Sequence, residues 1–291
     1  MEEELVVISE EQAQKAQTAT GLGFAVDMQL AIEKLRVATQ VRSSHLAKAD
    51  KADPFCQDAH RRLLKLEQWI DGSVAQQVSS HPAYPWFSHV RGVGKENIGK
   101  VVGQIDFTRA AYVSSLWKFA GYHVVDGKSP RPVKGQKLEY NKNLRVMVWR
   151  LASSLMRAKG KYYAYYQEAK DQEVKKLVVQ GIKVLPEEQL KPLKKIILST
   201  MKEKRKKELG VKKLPEGEIE RIEREVKKIG IPGYMSEGQV HNRALRKMAK
   251  LFLSHLWTVS RGAMNLPVSK PYAQEVLEHQ HYYDPWEFTD K

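Results

Sequence analysis

Apolar residues recur at three- and four-residue spacings along most of this chain, the period that gathers them on one side of an α-helix. Residues 24–47, FAVDMQLAIEKLRVATQVRSSHLA, and 56–79, CQDAHRRLLKLEQWIDGSVAQQVS, both carry it, and the polar KADKADP lies between them. Together they predict an antiparallel helical hairpin. Pro82 and Pro85 end the second helix, because proline lacks an amide proton and disfavours helix in the residue before it. Two short helices follow, ENIGKVVGQI and RAAYVSSLWKFAG, the second ending at Gly121 as a C-terminal cap. Residues 122–141 carry Gly127, Pro130, Pro132 and Gly135 and predict a long loop. A strong helical pattern resumes over residues 142–178, KNLRVMVWRLASSLMRAKGKYYAYYQEAKDQEVKKLV, with Leu144, Met147, Val148, Leu151 and Leu155 as its buried stripe. A last amphipathic helix, QVHNRALRKMAKLFLSHLWTVSR, buries Leu245, Met248, Leu251, Phe252 and Leu256. No alternating strand pattern of useful length and no internal repeat is present. The expected fold is therefore all-α. Its expected segments are a helical hairpin over 1–80, a core over 81–170, a helical insertion over 171–235, and a closing helix with an aromatic tail over 236–291.

The stretch HVRGVGKENIGKVVGQID, residues 89–106, stands apart. Its glycine spacing does not meet the phosphate-loop or dinucleotide fingerprints, and no strand precedes it. It fits the turn of a helix-hairpin-helix, in which an apolar-x-Gly-apolar-Gly bend leads into a helix. Bared amides and the positive end of that helix then face a phosphate. Val90, Gly92, Val93, Gly94, Val101 and Val102 occupy the pattern, Lys95 supplies a cation, and Ile98 stands where a small residue is usual, with Gly99 beside it.

Charge sharpens this picture. Lys and Arg outnumber Asp and Glu by 49 to 34, an excess of +15 that favours an anionic partner, nucleic acid ahead of a membrane surface. The loop after Gly121 carries Lys128, Arg131, Lys134 and Lys137, with Lys142 and Arg145 just beyond. Together with Arg91, Gly92, Val93, Gly94, Lys95, Asn97 and Lys100, these form the expected nucleic-acid-binding set. Residues 182–230 are rich in Lys and Glu, and read either as a solvated charged helix pair or as an arm that tracks nucleic acid. No run of 18 apolar residues exists, and the start MEEELVVISEEQ is acidic where a signal peptide is basic, so the chain is expected to be cytoplasmic. Cys56 is the single cysteine, which excludes an internal disulfide and a cysteine zinc site; no cofactor is expected.

Four elements in order extend the reading: HPAYPWFSHVRGVGKENIGKVVGQI, LWKFAGYHVVDGKS, KGQKLEYNKNLRVMVWRLASSLMR and HNRALRKMAKLFLSHLWTVSR. Their order and spacing resemble the C-terminal domain of transposases of the insertion-sequence 110/116/902 family over about residues 80–170 and 236–261, and the preceding hairpin resembles the coiled-coil linker of that family. The resemblance implies DNA as partner, with RNA as an alternative because relatives work with a guide RNA. In the family this domain is joined to a RuvC-like domain holding four acidic residues around magnesium ions. Here only about 80 residues precede the glycine turn and they read as helix, so that domain is expected to be missing. The resemblance also implies a nucleophilic serine in a Ser-Gly pair; Ser129 falls near that place but is followed by Pro130.

Other chemistry is weaker. Tyr162, Tyr163, Tyr165 and Tyr166 could stack bases, or one could attack DNA, yet adjacent helical positions point them in several directions. In the tail, His279 and His281 near Asp284 lack a third metal ligand, and docking of Tyr283, Trp286 and Phe288 is the preferred reading. The expectation is an accessory, non-catalytic nucleic-acid-binding protein, with a homodimer through the hairpin compatible with it. The alternatives are an active transposase or recombinase using Ser129, and a helical protein-interaction module.

Overall fold

The computed structural model describes residues 10–125, 127–228, 231–269 and 283–290. The fold is all-α: ten helices and two three-residue strands stand among the described residues. In chain order these are α1 (Glu10–Lys48), α2 (Pro54–Val78), α3 (Tyr84–Phe87), α4 (Lys95–Val102), α5 (Val113–Phe119), α6 (Lys142–Ala158), α7 (Lys161–Val179), β1 (Lys183–Leu185), α8 (Glu187–Leu209), α9 (Glu216–Lys228), β2 (Tyr234–Ser236) and α10 (Glu237–Ala263), followed by a 3-10 turn, Pro285–Phe288. The chain divides into two compact units, one formed by residues up to Tyr163 and from Ala249 onward, the other by Ala164–Met248. No helix among the described residues is long and apolar enough to cross a membrane.

In the first unit α1 and α2 pack along one another, and α4 packs against both. Helix α2 starts where Asp53 accepts the Phe55 amide at 3.0 Å and Pro54 takes the first helical position, whose missing N–H costs nothing there. Leu22 and Val26 of α1 and Ile70, Val74 and Val78 of α2 are buried. Farther along the hairpin the seam turns polar. Arg36 pairs with Glu67, and Glu33 accepts from Arg150 of α6 at 3.0 Å. Burial alone would raise the Glu33 carboxyl, but the hydrogen bond and charge of Arg150, with Lys100 behind it, hold it below the usual range.

Helix α6 is capped by Asn141, whose side chain accepts the Leu144 amide, and it buries Leu144, Met147, Val148, Leu151, Ala152 and Leu155. Phe252, Leu253, Leu256 and Trp257 of α10 are equally buried, and the Trp257 indole donates to the Ala110 carbonyl at 2.6 Å. Helix α5 ends in paired bonds from Gly121 N–H to Lys118 O and from Tyr122 N–H to Trp117 O, the pattern a left-handed glycine makes possible.

One expectation is corrected. The helix expected over residues 142–178 is broken at Lys159, with φ at 54°, and Gly160. A carboxylate from the far end of the chain, Asp290, caps the Lys161 amide there at 2.8 Å, and no local pattern announces it. The two short strands, β1 and β2, pair in parallel, Lys183 with Tyr234 through Leu185 with Ser236. Three residues are too few for a period of two to show.

The second unit has its own small core, Leu214, Ile222 and Val226 against Ile197, Leu198, Met201 and Ile219. Its charge is partly internal, since Arg205 pairs with Glu218 at 2.8 Å and Lys202 with Glu223 at 3.1 Å between α8 and α9. Buried Glu173 of α7 accepts from Arg243 at 2.7 Å and Lys247 at 2.9 Å, both on α10. Burial would raise that carboxyl, and the two cations overcome it and lower it.

Candidate functional site

The two glycines of the bend between α3 and α4 do different things. Gly92 has φ of 92°, and a β-carbon there would lie 2.7 Å from Ala158 Cβ and 3.0 Å from Leu155 Cα. It is a packing residue, the point where the bend presses onto the C-terminal end of α6. Gly94 is exposed, has ordinary extended angles (φ −84°, ψ 143°) and meets nothing within 4 Å of where a side chain would start. It is the N-cap of α4, with no side chain capping that end. The first helix amides, those of Lys95, Glu96 and Asn97, therefore have no acceptor among the described residues, and the Gly94 amide has none either.

Two of the other amides of the bend are occupied, while the Gly92 amide has no acceptor among the described residues. Val93 N–H donates to Val90 O at 3.2 Å, and Arg91 N–H donates to Asp290 Oδ2 at 2.7 Å. The bend thus already holds one anion, a carboxylate. Around the open amides the exposed cations are Arg91 and Lys95; Lys95 Nζ donates to Ser79 Oγ at 3.2 Å and sits 5.4 Å from the Tyr84 ring centroid. Asn97 is half-buried. Because Gly92 lies on Ala158, and because a β-carbon on Gly160 would meet Arg91 Cβ at 3.0 Å, the exposed Arg157 and Lys159 border the same bend. Sequence reading missed this pair; only the contact of the bend with the end of α6 identifies it.

Lys100 is a correction. It was expected at the interface but is buried, with its ammonium 3.3 Å from Asp71 of α2, so it serves the hairpin. The glycine that brings α4 close to α2 is Gly99, whose β-carbon would strike Val74, which explains why bulky Ile98 is tolerated, fully buried, beside it.

The basic loop lies elsewhere. Lys128, Arg131, Lys134, Lys137 and Lys142 are all exposed. A tight turn joins Val125 and Lys128 by two backbone bonds of 2.9 Å. Arg145, expected to face a ligand, is half-buried and holds the loop from beneath. Its guanidinium donates to Pro130 O and Ser129 Oγ, both at 2.9 Å, and lies 4.9 Å from the Tyr140 ring centroid. Ser129 is therefore oriented by a cation, which can stabilise an alkoxide but cannot take its proton, since arginine stays charged.

Loop and bend are not brought together. The loop runs into the first turn of α6 and the bend packs on its last, and 17 residues at 1.5 Å each separate them by about 25 Å. One ligand can engage both only by spanning that distance.

Two of the four tyrosines, Tyr162 and Tyr166, are structural. Tyr162 and Tyr166 are buried, Tyr163 and Tyr165 half-buried. The Tyr162 hydroxyl bonds His255 Nδ1 at 2.6 Å, and burial pushes its pKa well up, away from nucleophilic use. Tyr166 bonds His241 at 2.7 Å. In the tail, Pro285 and Phe288 are buried, and the Trp86 indole donates to Pro285 O at 2.7 Å. Trp286 stays exposed, while His279 and His281 lie outside the described residues. Among the described residues no group of three or more His, Cys, Asp or Glu is placed to hold a metal ion. No family model, no curated protein and no solved structure matches this chain.

Proposed function

We propose that this protein binds the phosphate backbone of nucleic acid, DNA first, through the bend at Gly94 and the basic loop. In this reading it is an accessory, non-catalytic protein related to the C-terminal domain of insertion-sequence 110/116/902 transposases. The observation that carries it is the set of open amides from Gly94 to Asn97 at the positive end of α4, on an exposed bend bordered by Arg91, Lys95, Arg157 and Lys159. Backbone amides at a helix start favour an anion without requiring a particular base, so the binding is expected to be salt-sensitive and weakly sequence-selective. The carboxylate held by the Arg91 amide supports the same preference for anions.

Gly94→Asp is the decisive test. The backbone angles suit any residue and the space is open, so aspartate enters without strain and becomes an N-cap, a preferred residue there. Its own carboxylate then takes the amides a phosphate needs. The variant should melt no lower than the parent and bind labelled duplex DNA at least about tenfold more weakly, while Gly94→Ala keeps its affinity within about twofold. If Gly94→Asp folds and binds DNA at parental strength in low salt, the reading fails.

The Arg145 contact to Ser129 favours a second reading, in which the hydroxyl attacks a DNA phosphodiester, the new serine O–P bond replacing the bond to a deoxyribose oxygen that leaves as a hydroxyl and takes up a proton as the serine gives its own to solvent. The diagnostic is a covalent protein–DNA adduct that disappears in Ser129→Ala.

A further inference from the structure

The exposed face of α6 joins the basic loop to the bend, and its composition is ordered. Opposite the buried stripe, Lys142, Val146, Trp149, Ser153 and Arg157 succeed one another at spacings of four, three, four and four residues, which places them along a single line on the helix. The line has a cation at each end and none in its middle, where Val146 is 44% and Trp149 36% exposed. Arg145 and Arg150 flank it, the latter paired with Glu33. No acidic residue occurs anywhere from Tyr140 to Gln167. The Trp149 indole makes no ring contact and no side-chain hydrogen bond with a described residue; Ser153 Oγ touches only its backbone carbonyl, at 2.9 Å.

A duplex laid along such a line would offer phosphates throughout and would match cations throughout. This line instead alternates charge, apolar surface and charge. That sequence matches a chain that is charged along its backbone but presents flat faces between charges. A single strand does so; in a duplex each base face is already covered by its neighbours, and only edges and backbone are offered. At the spacing of phosphates along one strand, about 25 Å is the length of roughly seven nucleotides, fewer when the strand is stretched.

Resting on the backbone-binding reading above, we infer that the ligand crosses α6 as a single strand, its phosphates held by the basic loop and by the bend and a base stacked on Trp149. Stacking on an aromatic side chain is tolerant of base identity, so the selectivity it confers is for strandedness.

The test uses the full chain with a labelled thymidine homopolymer and a labelled duplex of equal length, at low and moderate salt. Trp149→Ala, on an exposed face, is checked by its melting temperature. It should bind the single strand about five- to a hundredfold more weakly and the duplex within about twofold of the parent. Trp149→Phe should recover part of the loss and should abolish part of the fluorescence quenching the single strand causes in the parent. Unchanged single-strand affinity in Trp149→Ala overturns this inference and leaves backbone binding standing. Equal losses for both ligands overturn it as well, because the indole would then support the surface generally. Failure of the parent to bind either ligand at low salt overturns both readings.

Discussion

Asp290 and Arg91 are 199 residues apart in the chain, yet Asp290 Oδ2 accepts the Arg91 amide at 2.7 Å while its other oxygen accepts the Lys161 amide at 2.8 Å. One carboxylate thus fixes the bend before α4 and starts α7. The Asp290 amide returns a bond to His89 O at 2.8 Å, and Gly160 leaves the room, since a β-carbon there would come within 2.8 Å of both carboxylate oxygens. Asp290 therefore shapes the candidate site from the tail, through a carboxylate.

Asp290→Ala should cost about 1–3 kcal/mol, because two backbone donors lose a charged acceptor and one of them is a helix N-terminal amide. Asp290→Asn, which keeps one carbonyl oxygen, should fall between. Urea denaturation followed by far-ultraviolet circular dichroism measures it; a midpoint unchanged in the alanine variant would mean that water serves these amides equally well.

The helical pattern was readable because α2, α6 and α10 each bury one regular stripe, and a period of 3.6 is a local property. What escaped were contacts between distant segments. Lys100 looks like a surface cation within GKVVG, and only the approach of α4 to Asp71 of α2 turns it inward. The break at Lys159 depends on Asp290, far beyond any window of local sequence. Loop and bend read as one site because both are basic and glycine-bearing; that 17 helical residues hold them apart was implicit in the length of α6, but which end the bend packs on was not. The stacking candidate Trp149 was hidden differently, since its place on the exposed side follows from the same period that identified the core.

Acid should weaken the fold before the carboxylates titrate. His81 and His255 are both held near a pKa of about 4, against an ordinary value of 6.5, by burial, which in His255 outweighs the opposing pull of the Tyr283 carbonyl and Asp284. Since the Tyr283 carbonyl can only accept, His255 carries its proton on Nε2, leaving Nδ1 to accept from Tyr162. The unfolded chain binds a proton at each histidine below pH 6.5 and the folded one only below about pH 4, so stability is full above pH 6.5 and falls as pH drops toward 4. Each contributes up to roughly 3 kcal/mol of that loss. Glu33 and Glu173, lowered by their cation partners, lose their contribution only at more acid pH. Melting temperature followed from pH 7.5 to 4.5 should drop steeply, and His81→Asn, which retains an acceptor for the Ala83 amide, should flatten the slope by about half. Parallel slopes in parent and variant would remove His81 from the account.

Arg145 determines whether the basic loop is an ordered surface. Its two hydrogen bonds reach the backbone of Pro130 and the hydroxyl of Ser129, and its aliphatic stem lies against Gly121 while its planar head covers the Tyr140 ring. Without it the loop still keeps the Val125–Lys128 turn, the bond from the Gln136 amide to Val133 O, the bond from the Asn141 amide to Phe119 O and the exposed Lys118–Glu139 pair, none of which ties Ser129–Pro130 to α6. Arg145→Ala should therefore raise trypsin cleavage at Lys128, Lys134 or Lys137 by about tenfold, with a loss of stability of about 1–2 kcal/mol. Arg145→Lys should not restore resistance, because a single ammonium cannot bridge both acceptors and has no plane to lay on tyrosine. Ser129→Ala removes one bond of the two and should stay close to the parent, which separates a structural role of the arginine from a chemical role of the serine. A parent-like digestion pattern in Arg145→Ala would show that the remaining backbone bonds and the prolines suffice to order the loop, and would leave its cations free to meet phosphate without a guide.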